Sequence, residues 1–227
     1  MDRGAWIQER RAAVKAAYDA EAATYDEEVY PADGQKRFVQ RLLETCPPDG
    51  IVLDAPCGTG RYFPLVAAAG RRVVGIDQSA RMLEQARATG IAVALHQVGL
   101  QELAFEQEFD GVMTIDALEN VFPEDWPRVI ANLVRAVRRG GHLYLTVEEV
   151  EQRVVDEAFA ALVDRGLPVV RGEVIDGDVA GYHYYPTRDQ VRRWLDAARL
   201  TIVEDETEPQ EGWGYWHLLL RPAGEVA

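Results

Sequence analysis

From Ile51 onward, short unbroken apolar runs alternate with stretches of helical periodicity, and this alternation constrains the fold more than any other feature. "IVLDA" (Ile51–Ala55) has strand length and no polar face, the pattern of a parallel strand covered on both sides. "RYFPLVAAAG" follows as a helix, with Pro64 in its first turn and Gly70 closing it. "RVVGID" (Arg72–Asp77) is a second buried strand. Ser79 is the expected N-cap of "ARMLEQARATG", where Met82, Leu83 and Ala86 share a face and Gly90 ends the helix. "IAVALHQV" and "FDGVMTIDAL" read as the third and fourth strands. "PEDWPRVIANLVRAVRRGG" reads as a helix with Val129, Ile130, Leu133, Val134 and Val137 on one face. Arg138 and Arg139 are expected in its last turn, beside the negative end of the dipole, with Gly140 as its stop. "HLYLTVEE" is the fifth strand.

Strand and helix in this succession imply a doubly wound, Rossmann-like α/β sheet with right-handed crossovers. The two ends break the succession. Helices are expected around Ala5–Asp26 and Lys36–Thr45, and another near Arg153–Asp164. Asp176-Gly177 between β-prone runs marks an inserted hairpin. "TRDQ" (Thr187–Gln190) is a capping box opening a last helix. "LTIVEDE" and "WGYWHLLLR" are close enough in sequence to pair antiparallel. The expected architecture is a mostly parallel, seven-stranded sheet whose last strand runs antiparallel. Residues 1–227 divide into an N-terminal helical cover (1–50), a ligand-binding core (51–150), a helix-plus-hairpin insertion (151–186) and a final helix with two strands (187–227).

At 227 residues the chain has the length of one ordinary α/β domain. No apolar run approaches the ~20 residues of a membrane helix, and the first residues lack the apolar centre of a secretory signal. Two cysteines, Cys46 and Cys57, are too few for a disulfide framework. A cytoplasmic protein, monomer or homodimer, is the expectation. The net charge of −14 repels phosphate backbones, and the Arg-Arg pairs are scattered. A small molecule, neutral or cationic, suits the chain better than nucleic acid or a membrane.

The turn after the first strand, "VLDAPCGTGRYF", carries Gly58 and Gly60. Glycine there lets backbone approach a ligand, and the helix that follows offers free N–H groups. Asp77, at the end of the second strand, is placed to accept hydrogen bonds from ribose hydroxyls. This arrangement suits NAD and S-adenosylmethionine alike. Two details separate them. Phe63 stands where the dinucleotide fingerprint has its third glycine. Asp54 puts an anion beside the loop, unfavourable to a diphosphate and favourable to a sulfonium. Cys57 reads as a small buried filler, since nothing in the sequence beside it would activate a thiol.

These segments resemble the class I S-adenosylmethionine-dependent methyltransferases. "LDAPCGTGR" is similar to their first motif and "VVGIDQSARMLEQAR" to their second. "FDGVMTIDALENV" with "RRGGHLYL" resembles the fourth-strand motif and the turn before the fifth strand. "YDAEAATYD" looks like the small-molecule branch of that family, in which Tyr25 and Asp26 would fold over the cofactor. The resemblance implies S-adenosylmethionine bound by Tyr25, Asp54, Ala55, Gly58, Gly60, Asp77, Gln78, Met82, Leu100, Gln101, Asp116 and Ala117. The family's adenine-binding acid is missing, with Gly99-Leu100 in its place. Adenine would then meet backbone near Leu100, the Gln101 side chain or apolar packing.

The implied reaction moves a methyl group to an O or N of a small molecule by in-line displacement. A hydroxyl acceptor benefits from a general base, for which His183 in "GYHYYP" is the candidate, with Asp116 the second catalytic candidate. Alternatively, Asp116, Glu119, Glu148 and Glu149 form an acidic mouth suited to an amine. Tyr182, Tyr184, Tyr185, Trp213 and Trp216 suggest a planar substrate or core packing. No His, Cys or acid spacing resembles a metal site. Two other readings stay open: a protein of this fold that binds the cofactor without methyl transfer, and an NAD-binding oxidoreductase.

Overall fold

In a computed structural model, which describes residues 2–28, 31–176 and 181–223, the alternation takes form as one seven-stranded sheet. In chain order the elements are α1 (Arg3–Glu21), α2 (Tyr25–Glu28), α3 (Asp33–Thr45), β1 (Ile51–Asp54), α4 (Phe63–Ala68) and β2 (Arg72–Asp77). Then come α5 (Ala80–Ala88), β3 (Ala94–Gln97), β4 (Phe109–Thr114), α6 (Trp126–Ala136), β5 (Val137–Val150) and α7 (Gln152–Asp164). The chain continues with β6 (Glu173–Asp176), β7 (Gly181–Tyr184), α8 (Arg188–Ala197), β8 (Leu200–Pro209) and β9 (Trp213–Pro222).

Strand order is β3-β2-β1-β4-β5-β9-β8. The strands from β1 to β5 pair in parallel, and β9 inserts antiparallel between β5 and β8. Order reverses at β1, so the carboxyl ends of β1, β2 and β4 flank the crevice where ligands of open α/β sheets bind. Period-two alternation sends Leu53, Val112, Leu143 and Leu145 to one face, with α1, α6, α8 and the β6–β7 hairpin. Val52, Met113 and Tyr144 go to the other, against α3, α4 and α5.

Ser79 caps α5, its hydroxyl accepting from Met82 N–H at 3.1 Å, and Thr187 with Gln190 forms the capping box of α8. The hairpin pairs Glu173 with Tyr184 and Asp176 with Gly181; Gly177, expected in its turn, lies outside the described residues. Among the described residues no helix is long and apolar enough to cross a membrane.

Two expectations on the elements change. The first helix stops at Glu21, and a separate turn of helix starts at Tyr25. Helix α6 ends at Ala136, so Val137, Arg138 and Arg139 belong to β5 and only Arg135 occupies the last helical turn. The cause is backbone pairing, since Gln107 and Glu108 N–H donate to the carbonyls of Arg135 and Ala136. Val137 then pairs with Phe109, and a bulge follows before Gly111 meets His142. Gly141 allows this approach, because a Cβ there would lie 2.6 Å from the Asp110 carbonyl oxygen.

Candidate active site

A cavity opens in the predicted crevice at the carboxyl ends of the strands, where open α/β sheets bind ligands. The loop after β1 contributes Pro56, Cys57, Gly58, Arg61 and Tyr62. Gly58 has φ +52°, and a Cβ there would meet nothing within 4 Å, so backbone conformation demands the glycine and leaves open space above it. Gly60 has φ +83°, and its Cβ would collide with the Phe63 ring at 2.6 Å. That ring, fully buried, fills the space a third glycine would leave empty.

Asp77 lines the cavity and organises it. Its Oδ2 accepts from Gly58 N–H at 3.0 Å and its Oδ1 from Ser79 N–H at 2.8 Å, fastening the loop to the start of α5. Burial raises its pKa, and those amides oppose the rise. Gln78 and Met82 line the cavity beside it. At the far side Val98, Gly99, Leu100 and Gln101 form the wall, held by the Asn132 side-chain amide donating to the carbonyls of Leu100 and Gln101. A Cβ on Gly99 would lie 2.7 Å from Glu102 Oε2.

The N-terminal helices cover the opening. Arg11, Val14 and Tyr18 of α1 and Tyr25 of α2 line the cavity. Asp19 fastens α1 to α5 by accepting from Ser79 Oγ at 2.6 Å, and its ion pair with Lys15 draws its pKa down to about 2. Asp26 accepts from Thr59 Oγ1 at 2.8 Å, and the Arg61 guanidinium lies 4.7 Å from the Tyr25 ring centre.

Beyond β4 Asp116 lines the cavity, and Glu119 and Glu148 lie beside it outside the lining. Asp116, with φ +53°, is held in place by its N–H donating to Thr146 Oγ1 at 2.7 Å and by Tyr215 OH donating to its Oδ1 at 2.5 Å. Carboxylate oxygens of Asp116, Glu119 and Glu148 all lie within 4.8 Å of one another. Glu119 is 6% exposed, and its Oε2 has no hydrogen-bond partner among the described residues. Burial, then Asp116 and Glu148, push its pKa well above the carboxylate range. Burial and Asp116 push Glu148 up to about 7.

Residues 52–141 match the family model described as a methyltransferase domain. An uncharacterized methyltransferase of Synechocystis sp. is 37% identical over 112 residues, covering 48% of this chain and 52% of the relative. A malonyl-[acyl-carrier protein] O-methyltransferase of Erwinia pyrifoliae is 30% identical over 163 residues, 70% of this chain and 60% of the relative. The matched region thus spans between half and two thirds of these curated relatives. A Burkholderia thailandensis 1,6-didemethyltoxoflavin-N1-methyltransferase, solved with its substrate and S-adenosylhomocysteine, shares the fold with a TM-score of 0.71 at 20% identity, covering 96% of this chain and 90% of its own. The chain belongs to the class I S-adenosylmethionine-dependent methyltransferase family.

Within this methyltransferase fold, nine of the twelve residues expected at the cofactor meet at the cavity: Tyr25, Gly58, Asp77, Gln78, Met82, Leu100, Gln101, Asp116 and Ala117 line it. Asp54, Ala55 and Gly60 do not; all three are buried beneath the loop. Asp54 Oδ2 has no hydrogen-bond partner among the described residues, and burial holds that carboxyl well above its usual pKa. It is no fixed anion facing a ligand, so the charge argument passes to Asp77 and Asp116.

His183 is outside the cavity lining. Strand alternation puts Tyr182 and Tyr184 into the core and His183 on the opposite face, where it stacks on Tyr185 at 5.8 Å. A general-base role for His183 does not fit that placement. Glu149 leaves the acidic group as well, paired with Arg188 at 2.5 Å. Tyr182, Tyr184 and Trp216 are core residues, at most 1% exposed. Arg11, Val14 and Tyr18 were missed, although their i, i+3, i+7 spacing marks one helix face. Of the four acids expected to form an acidic mouth, Asp116, Glu119 and Glu148 do come together, although Glu148 belongs to a different strand.

Proposed function

We propose that the chain binds S-adenosylmethionine in this cavity and transfers its methyl group to an oxygen or nitrogen of a small molecule. One observation carries the reading: the open Gly58 loop, the strand-end acid Asp77 and the acid Asp116 after β4 all line a single cavity under α1. Asp77 accepts from ribose hydroxyls in this reading, Gly58 and Gln78 lie along the cofactor, and Met82, Leu100 and Gln101 enclose adenine. Tyr25, Asp116 and Ala117 face the methionine end, while Asp54, Ala55 and Gly60 shape the loop from beneath. S-adenosylmethionine supplies a methyl group on a sulfonium whose leaving group departs neutral. The chain's own contribution is orientation and exclusion of water by α1, and positioning of that kind removes ~7–11 kcal/mol of barrier.

Charge supports this cofactor over a dinucleotide. The cations in the lining are already engaged: Arg11 binds Asp125, and Arg61 lies 3.9 Å from Asp26. Asp77 and Asp116 leave a negative cavity, better suited to a sulfonium and an ammonium than to a diphosphate. The relatives' names include both an O- and an N-methyltransferase, so both acceptor atoms belong in the reading.

Thermal unfolding with S-adenosylmethionine, S-adenosylhomocysteine and NAD tests it. A ligand at ~100 times its Kd adds about 2.7 kcal/mol. The two adenosyl compounds are expected to raise the midpoint and NAD to leave it unchanged; a shift with NAD alone overturns the reading. Given cofactor binding, mass spectrometry of candidate acceptors then separates methyl transfer from binding without it.

A further inference from the structure

Resting on the preceding reading, we propose that Asp116, Glu119 and Glu148 form the acceptor subsite, and that the acceptor is a small-molecule amine bound as its ammonium. Three features support this beyond the clustering of acids. Glu119 Oε2 is buried, without a partner, and within reach of the other two carboxylates. A buried polar atom in that condition costs stability until a partner arrives. Asp116 is held for the purpose, one of its oxygens fixed by Tyr215 OH. The third feature is aromatic. Tyr215 stands directly across the sheet from Glu148, and Trp213 packs edge-on against it at 5.1 Å, itself 40% exposed.

The number of donors suits an ammonium. A primary ammonium has three N–H donors for three carboxylates. Aromatic faces beside the acids also suit an organic cation.

The protons balance. Burial and the neighbouring carboxylates raise Glu119, and burial with Asp116 raises Glu148 to about 7. An arriving ammonium favours the ionised carboxylates, so protons are released to solvent. Before transfer the nitrogen must be neutral, and Glu148, half-buried at the end of β5, takes its proton and releases it to water. The nitrogen lone pair then bonds to the methyl carbon, the S–CH₃ pair goes to sulfur, and the positive charge passes to nitrogen beside the carboxylates.

Calorimetry on the protein saturated with S-adenosylhomocysteine tests the proposal, using benzylamine and phenethylamine against benzyl alcohol and phenethyl alcohol. Each amine is expected to bind about tenfold or more tighter than its alcohol, as charge-assisted hydrogen bonds require. The heat should change between buffers of different ionisation enthalpy, because protons are released. Glu119→Gln and Glu148→Gln should each weaken the amines about tenfold and leave S-adenosylhomocysteine affinity unchanged. If Glu119→Gln does not fold, Glu148→Gln carries the test.

Equal or absent binding of amine and alcohol overturns the proposal. So does a loss of S-adenosylhomocysteine affinity in the variants, which would assign the cluster to the cofactor's own ammonium. So does Mg²⁺ or Mn²⁺ binding that the variants abolish while amine binding persists. If S-adenosylhomocysteine does not bind the wild-type protein, the cofactor reading fails instead. Benzylamine titrated into the free protein then still tests the cluster, whose carboxylates all belong to the chain.

Discussion

The two ends of the cavity are built by different means. Around Gly58 and Asp77 the wall comes from two short stretches of chain, and its key contacts join a carboxylate to backbone amides. Around Asp116 the wall includes Tyr18 and Asn120, and Thr146, Glu148 and Tyr215 support Asp116 from distant elements, mostly through side-chain contacts. Amide geometry is available to any sequence with glycine at the right turn. Side-chain geometry depends on the packing behind it, so the first end is suited to an invariant ligand and the second to discrimination among acceptors.

The sharpest way to break this contrast is to remove the packing behind the second end. Trp6 of α1, 1% exposed, contacts the Phe122 and Tyr182 rings at 5.8 Å each, beneath the turn that carries Glu119. Trp6→Ala is expected to cost about 3–5 kcal/mol in urea unfolding. A loss below about 1 kcal/mol would show that α1 is a detachable cover and not part of the core. Next in size is Asp77, on the first end. Asp77→Ala should weaken S-adenosylhomocysteine roughly hundredfold or more, and Asp77→Asn about tenfold, because the amide keeps one acceptor oxygen but loses the charge. Unchanged affinity in calorimetry refutes the ribose role.

What could be read from the sequence follows the same division. Gly58, Asp77, Ser79 and Met82 are close together in the chain, and the turn, strand-end acid and cap were all legible there. Asp54 was legible as a residue but not as a carboxyl whose pKa burial raises, because burial depends on what covers it. The end of α6 was misplaced because its stop comes from the Gln107 and Glu108 amides, contributed by another segment. His183 looked functional from its place in an inserted segment, yet strand alternation decides its face, and the hairpin's register was invisible. Glu119 and Glu148 meet only through the pairing of β4 with β5.

The pH dependence of stability sharpens the account of the second end. Burial and Asp116 raise Glu148 from 4.5 to about 7, so the folded protein retains a proton that the unfolded chain has released. Stability from this group is complete below about pH 4.5 and is lost as pH rises through 7. Asp116 and Glu119 face it within the cluster, and Tyr215 faces it across the strand. The difference in unfolding free energy between wild type and Glu148→Gln should therefore drift against the wild type across that window, by on the order of 1–2 kcal/mol after allowing for partial exposure. A flat difference would mean that Glu148 titrates as an ordinary surface carboxylate.

The smallest effect falls where the two ends meet. Asp116 lines the cavity between them, and Tyr215 OH is its donor. Tyr215→Phe removes that hydroxyl and keeps the ring against Trp213, so it should cost about 1 kcal/mol of stability, the net worth of one hydrogen bond. Its effect on ligands assigns Asp116 to one end or the other. If Asp116 serves the acceptor, the variant binds S-adenosylhomocysteine as the wild type does and holds benzylamine a few-fold more weakly. The reverse pattern in calorimetry would attach Asp116 to the cofactor, and the acceptor subsite would then rest on Glu119 and Glu148 alone.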